Sequence, residues 1–187
     1  MKNFKYWYDN ILKKDLIYKT NVSNSYDIPK IDNITISSNL ASAIENPKTI
    51  VYAATILKLV TNQKSIVFKA KQSLAGFKIR KGMALGCKVR MRRRFAFEFL
   101  YVFIFLSLAK IKSLKPCKVN DKGNISIGLN DFFVFPQLIN DYDKFPKKIT
   151  SIINIKLSKS NPTLSSLIFT GLQIPINVNN LKNIPKT

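Results

Sequence analysis

Histidine is absent from this chain, which removes at once the commonest general base and the commonest metal ligand. Cys87 and Cys117 form no CxxC pair, so neither a Cys/His zinc site nor a disulfide framework is expected. Asp141 and Asp143 stand two apart, but in a loop-like stretch near Pro146, and read as solvated carboxylates. Ser73, in "KQSLAG", has lysines beside it yet lacks the flanking glycines of a nucleophile elbow. Gly76, Gly82 and Gly86 are not followed by the G-K-[ST] of a phosphate-cradling loop. No enzyme is expected, and no metal or cofactor. The residues left to do chemistry are cations. "KAKQSLAGFKIRKGMALGCKVRMRRR", Lys69 to Arg94, packs ten Lys and Arg into twenty-six residues and admits no acid.

The whole chain, 187 residues, carries thirty-one basic and ten acidic side chains, a formal charge of +21. Such an excess repels itself unless a polyanion neutralises it, so nucleic acid or an anionic membrane surface is the natural partner. The charge is uneven, with no Asp or Glu from Asn46 to Phe97. Hydrophobic residues make up 46%, enough to fill one two-layer domain with tails. "FLYVFIFLSLA", Phe99 to Ala109, is intensely apolar but only about half of the ~20 residues a bilayer span needs. A buried core helix is expected there, without membrane insertion. The start, "MKNFKYWYDNILKKDL", has no signal-peptide apolar run and is not Arg- and Ser-rich like an import peptide. A protein working in an organelle would then be made there, and the wealth of Lys, Asn, Ile and Phe, which AT-rich codons encode, leans the same way.

These cations need elements to hold them. Tyr6, Ile11, Leu12 and Ile17 fall at a ragged helical spacing, predicting a short N-terminal docking helix within 1–25. "IPKIDNITIS" alternates Ile34 and Ile36 with polar residues and reads as a strand. Asn46 and Pro47 open a helix, as N-cap and first turn, with Ile50, Ala54 and Leu57 on one face. "SIVFKA" is a β-rich run. "CKVRMR" is the clearest strand: Cys87, Val89 and Met91 point one way, Lys88, Arg90 and Arg92 the other. Same-face neighbours on a strand lie about 6.6 Å apart, close to the spacing of phosphates along a nucleic-acid strand. An apolar helix follows from about Phe95 to Ile111. "NISIGLN" alternates Ile125, Ile127 and Leu129, and "IINIKLS" alternates Ile153, Ile155 and Leu157. A last helix begins at Asn161 and Pro162, with Leu164, Leu167, Ile168 and Leu172 on one face, and a polar tail follows. The interleaving predicts an α+β fold: a mostly antiparallel sheet with helices on one face, the other left free for RNA or DNA. The glycines among the lysines predict a flexible loop, and Phe77 at its centre is expected either to stack on a base or ribose or to tuck into the domain.

"PKIDNITIS", "TNQKSIVFKAKQSLAGFKIRKGMALGCKVRMR", "FEFL", "GNISIGLNDFFVFPQL" and "DYDK" resemble, in order, the blocks of the large-subunit ribosomal protein five family of bacteria and organelles. The resemblance runs from about Tyr26 to Ile176, one domain over 26–176, with 177–187 as a tail. It implies an RNP-like (ferredoxin-like variant) fold in the central protuberance. Its partners there would be large-subunit rRNA, 5S rRNA if present, P-site tRNA, small-subunit head protein thirteen and neighbouring central-protuberance proteins. Carried over, the tRNA-facing loop is Lys71, Gln72, Ser73, Gly76, Phe77, Lys78, Arg80, Lys81 and Gly82. The rRNA-facing residues are Lys30, Asn33, Lys64, Lys69, Lys88, Arg90 and Arg92, extended here by Arg93 and Arg94. The intersubunit bridge falls on Lys110, Lys112 and Lys115 and the loop preceding Gly123. After "CKVRMR" the family usually has Gly-Asp where this chain has Arg93-Arg94, so an acidic cap is replaced by charge of the opposite sign. Ser37 replaces a usual asparagine, and the helix lacks the family's Asp-Arg pair, its proline and its "RDFRG" character. The resemblance implies a structural rRNA-binding protein of the large ribosomal subunit, and these departures, with the added charge and the tail beyond Ile176, imply an organellar one, mitochondrial (in the matrix) ahead of plastid. The rival expectation is a basic protein of the membrane surface.

Overall fold

The computed structural model describes residues 2–20, 24–44, 46–111, 116–145, 149–159 and 161–177. Strands β1 (Lys30–Asn39), β2 (Ile66–Lys69), β3 (Ala84–Arg92), β4 (Ile125–Leu129) and β5 (Ser151–Ser158) form an open antiparallel sheet, ordered β2-β3-β1-β5-β4. With helices α1 (Lys2–Trp7), α2 (Lys13–Thr20), α3 (Lys48–Thr61), α4 (Arg93–Val102) and α5 (Pro162–Gly171) this is the α+β class that the sequence predicts. The strands follow the two-residue period of their side chains. Cys87, Val89 and Met91 of β3 are at most 1% exposed while Lys88, Arg90 and Arg92 face solvent. Ile125, Ile127 and Leu129 of β4 and Ile153, Ile155 and Leu157 of β5 are buried in the same alternating way. Each such side chain taken from water contributes about 1.5–3 kcal/mol.

The chain divides into two compact units, 1–34 with 92–127 and 154–187, and 35–91 with 128–153. In the first, the N-terminal helix buries a face other than the expected one: Phe4, Tyr8, Leu12 and Leu16 go inside, while Tyr6, Ile11 and Ile17 are exposed. A four-residue step drifts about 40° per repeat on an α-helix of 3.6 residues per turn. A π turn over Tyr8–Leu12, between α1 and α2, takes up that drift and keeps the four on one side. Gly171 of α5 lets Leu12 approach, since a Cβ there would stand 2.9 Å from the Leu12 Cδ1. Phe4 meets Phe97, Tyr101 and Phe105 edge-on at 6.0–6.5 Å.

The apolar run is less buried than expected. The α4 segment gives way to a π turn, Phe103–Ser107, and a 3-10 turn, Leu108–Lys110. Phe99, Leu100, Phe103 and Ile104 are inside, but Phe105 and Leu106 stay 54% and 44% exposed. No helix among the described residues is long and apolar enough to cross a membrane. In α5, Ser165, Ser166, Ile168 and Phe169 are buried and Leu164 and Leu167 only half-buried, a rotation of the expected face. Pro175 and Asn177 pair with Cys117 through backbone hydrogen bonds of 2.9 Å, and residues 178–187 lie outside the described residues.

In the second unit, α3 starts one residue later than predicted. Asn46 contributes its carbonyl, which accepts from the Thr49 N–H and hydroxyl, and makes no side-chain cap. Its buried face runs through Ile50, Ala53, Ile56, Leu57 and Val60, with Ala53 in place of Ala54. Asn62 ends it in the left-handed region (φ 54°), its N–H donating to the Lys58 carbonyl at 2.8 Å.

Candidate nucleic-acid interface

The connection from β2 to β3 carries every residue of the predicted tRNA-facing loop, and it is more ordered than the glycines imply. The Ala70 N–H donates to the Met83 carbonyl at 2.8 Å and the Gly82 N–H to the Ala70 carbonyl at 2.9 Å, which extends the strand pair. Leu74 and Ile79 exchange N–H···O bonds of 2.9 and 3.1 Å around a tip in which Lys78 is left-handed (φ 55°). The Ser73 hydroxyl accepts the Lys81 N–H at 2.9 Å, so this serine holds the hairpin together. Gly82, at φ 87°, adopts a conformation that side chains resist. Gly76 is different: its φ lies outside the left-handed range, and an added Cβ would meet nothing within 4 Å. Lys71, Gln72, Lys78, Arg80 and Lys81 are exposed, and Phe77 is 71% exposed at the tip beside Leu74.

A bulge feeds this hairpin into β3. Ile66, Val67 and Phe68 oppose Lys88, Cys87 and Gly86, but Lys69 opposes Ala84, which leaves Leu85 as the extra residue. Its carbonyl accepts the N–H of Leu40, the residue after β1, at 3.0 Å. Beyond it the exposed positions are Lys88, Arg90 and Arg92; Lys64, before β2, and Lys69, at its end, are also exposed. Ion pairs among the described residues are Lys13–Asp9, Lys19–Asp15, Arg94–Glu98, Lys144–Asp141 and Lys159–Asp27, and none reaches the hairpin or β3.

The remaining expected residues are placed differently. Lys30 is exposed at the start of β1, its Nζ 5.7 Å from the Tyr26 ring centroid. Tyr26 is 76% exposed, and Lys156 stands outward on β5; the sequence reading passed over both, although the alternation of "IINIKLS" marks the second. Asn33 is 4% exposed and its Nδ2 donates to Asp32 at 2.7 Å. Lys110 is exposed at the end of its 3-10 turn, whereas Lys112 and Lys115 lie outside the described residues.

Arg93 and Arg94, the two departures at the head of α4, are both exposed. Arg93 sits at φ 50°, the left-handed conformation that favours glycine. Holding an L-residue there costs roughly 1–2 kcal/mol, part of which a glycine gives back in chain entropy. Arg93→Gly should therefore raise stability by up to about 1 kcal/mol in urea denaturation; a loss would show that the arginine side chain makes its own compensating contact.

Neither thiol is a nucleophile in this setting. Burial pushes Cys87 up to about 11, and raises Cys117 too, so both stay protonated at neutral pH. Among the described residues no three His, Cys, Asp or Glu gather as a metal site.

The described residues thus join an α+β scaffold to a hairpin and a strand whose exposed cations pair with no described acid. The family profile for Ribosomal protein L5 matches residues 24–80, and the profile for the C-terminus of the same ribosomal family matches residues 84–176. Large ribosomal subunit protein uL5m of Reclinomonas americana is 37% identical over 180 residues, covering 95% of this chain and 99% of that one. The uL5 of Syntrophomonas wolfei is 34% identical over 142 residues (72% and 79%), and that of Buchnera aphidicola 30% over 178 residues (94% and 98%). The chain belongs to the ribosomal protein L5 family, structural proteins of the large ribosomal subunit and not enzymes.

Proposed function

We propose that the chain works in the large subunit of a mitochondrial ribosome, in the central protuberance, where β3, Lys64 and Lys69 bind rRNA. Large-subunit rRNA is the partner, with 5S rRNA where one is present. The hairpin of residues 70–83 extends to the P-site tRNA, and the region of Lys110 contributes to a bridge with small-subunit head protein thirteen. The observation that carries the reading is the run of exposed cations on the hairpin and β3, to which no acid of the described residues is paired. Gly76 adds to it. Neither backbone conformation nor space within the chain requires a glycine there, so a partner whose backbone comes close supplies the reason. The mitochondrial assignment rests on the uL5m of Reclinomonas americana.

The test separates the two RNAs. Lys78, Arg80 and Lys81 replaced together by Ala should weaken P-site tRNA retention by about tenfold or more, since each lost phosphate contact removes one released counterion. Assembly of large subunits, read by sedimentation, should stay within twofold. Collapse of assembly with tRNA retention unchanged in the surviving subunits would make the hairpin an rRNA anchor.

A further inference from the structure

Between the N-terminal helix and α4 lies a crevice of about 440 Å³, within the first unit. Its walls are Lys5, Tyr6 and Asp9 from one side and Arg94, Phe97 and Glu98 from the other. The volume is inside the roughly 300–1,000 Å³ typical of small-molecule sites. Phe97 is fixed by edge-on contacts with the rings of Tyr8 at 5.3 Å and Phe4 at 6.5 Å. Tyr6 is 68% exposed and free to close on an occupant.

The charges narrow what fits. Glu98 is the only acid from Asn46 to Asn120, and it lines this crevice with Asp9. Its Oε1 accepts from the Arg94 Nε at 2.7 Å, while Asp9 is paired with Lys13. An acidic peptide or a free phosphate would meet two carboxylates, and a basic peptide would meet Lys5 and Arg94. A nucleotide satisfies both sets, with a neutral ring carrying donors toward the carboxylate and a phosphate trailing to the cations. Among the bases, guanine offers two adjacent donors on its Watson–Crick edge, N1–H and N2–H₂, and a carboxylate accepts such a pair side by side. We propose that this crevice takes one unstacked guanine nucleotide of RNA, its ring between Tyr6 and Phe97, its Watson–Crick edge on Glu98 and its phosphate toward Lys5. The inference rests on the RNA-binding reading above and adds to it a base-specific contact away from the hairpin.

The full chain titrated with GMP, AMP and inorganic phosphate tests this, read by amide NMR and by the fluorescence of Trp7, its one tryptophan, which stacks on Phe4. GMP should saturate near about 1 mM, as one nucleotide without its neighbours binds weakly, with AMP about tenfold weaker and phosphate not saturating. Glu98→Gln, placing an amide N–H₂ or a single acceptor before the guanine edge, should abolish the preference for GMP. Tyr6→Ala, at an exposed position, should weaken both nucleotides about fivefold or more. Unfolding midpoints of both variants guard against a loss of structure. GMP no tighter than phosphate, or a preference that survives in a folded Glu98→Gln, overturns the site. A chain that binds large-subunit rRNA but not GMP loses the crevice proposal alone; one that binds no rRNA loses the broader reading.

Discussion

Gly86→Ala is expected to cost at least about 3 kcal/mol of stability, the upper end of what inserting one methylene into a packed interior does. The backbone at Gly86 does not require a glycine, because its φ lies outside the left-handed range; space does. A Cβ built there stands 2.2 Å from the Ser38 carbonyl oxygen and 2.6 Å from the Phe68 Cζ. The two obstacles differ in kind. The Phe68 ring can swing, since β2 is an edge strand. The Ser38 carbonyl belongs to β1, the middle strand of the sheet, and the Ser38 hydroxyl is tied to the Thr150 carbonyl at 2.7 Å. It cannot retreat without pulling β1 from its partners. Urea denaturation with an unchanged m-value measures the loss, and a change under 1 kcal/mol would show that β3 slides past the contact. Gly86 also explains the Phe68 position: the ring lies over the bare backbone and covers it, as aromatic residues do opposite strand glycines.

Removing the three outward cations of β3 should have the largest effect on binding. With Lys88, Arg90 and Arg92 replaced by Ala, the slope of log K against log salt for rRNA binding should flatten by about 2–3, and affinity near 0.1 M salt should fall on the order of a hundredfold. Stability should hold or rise slightly, because the side chains are exposed, unpaired by any acid of the described residues and about 6.6 Å from their neighbours along the strand. The alternate residues Cys87, Val89 and Met91, which hold β3 in the core, are untouched. An unchanged slope would place the rRNA contact elsewhere. Pelleting of the unmodified chain on RNA-free anionic liposomes, lost in the same variant, would favour the membrane-surface rival instead.

Much of the fold is legible in the residues because a half-buried strand prints its two faces in alternate letters. That is true of β3, β4 and β5, and it is enough to locate the outward cations of β3. Helices are legible in place but not in rotation. On α3 the expected Ile50 and Leu57 are buried but Ala53 stands in for Ala54, and on α5 Ile168 and Leu172 are buried but Leu164 and Leu167 only in part, because several neighbouring positions are apolar and only packing chooses among them. On the N-terminal helix the difference has a definite cause: a π turn is a change of helical period, which a pattern of 3.6 residues per turn does not contain.

By itself the sequence determined the sign and placement of the charge, since net charge and an acid-free run are sums over residue types and need no geometry. It also determined the family, through the order of its blocks, and the absence of histidine chemistry. Only the tertiary structure decided why Gly86 is a glycine, that Arg93 sits left-handed, that Ser73 staples its hairpin, and that Glu98 meets Asp9, Tyr6 and Phe97 around one crevice. These are facts of proximity between residues far apart in the chain or of a single backbone angle. Neither quantity is carried by any one letter of the sequence.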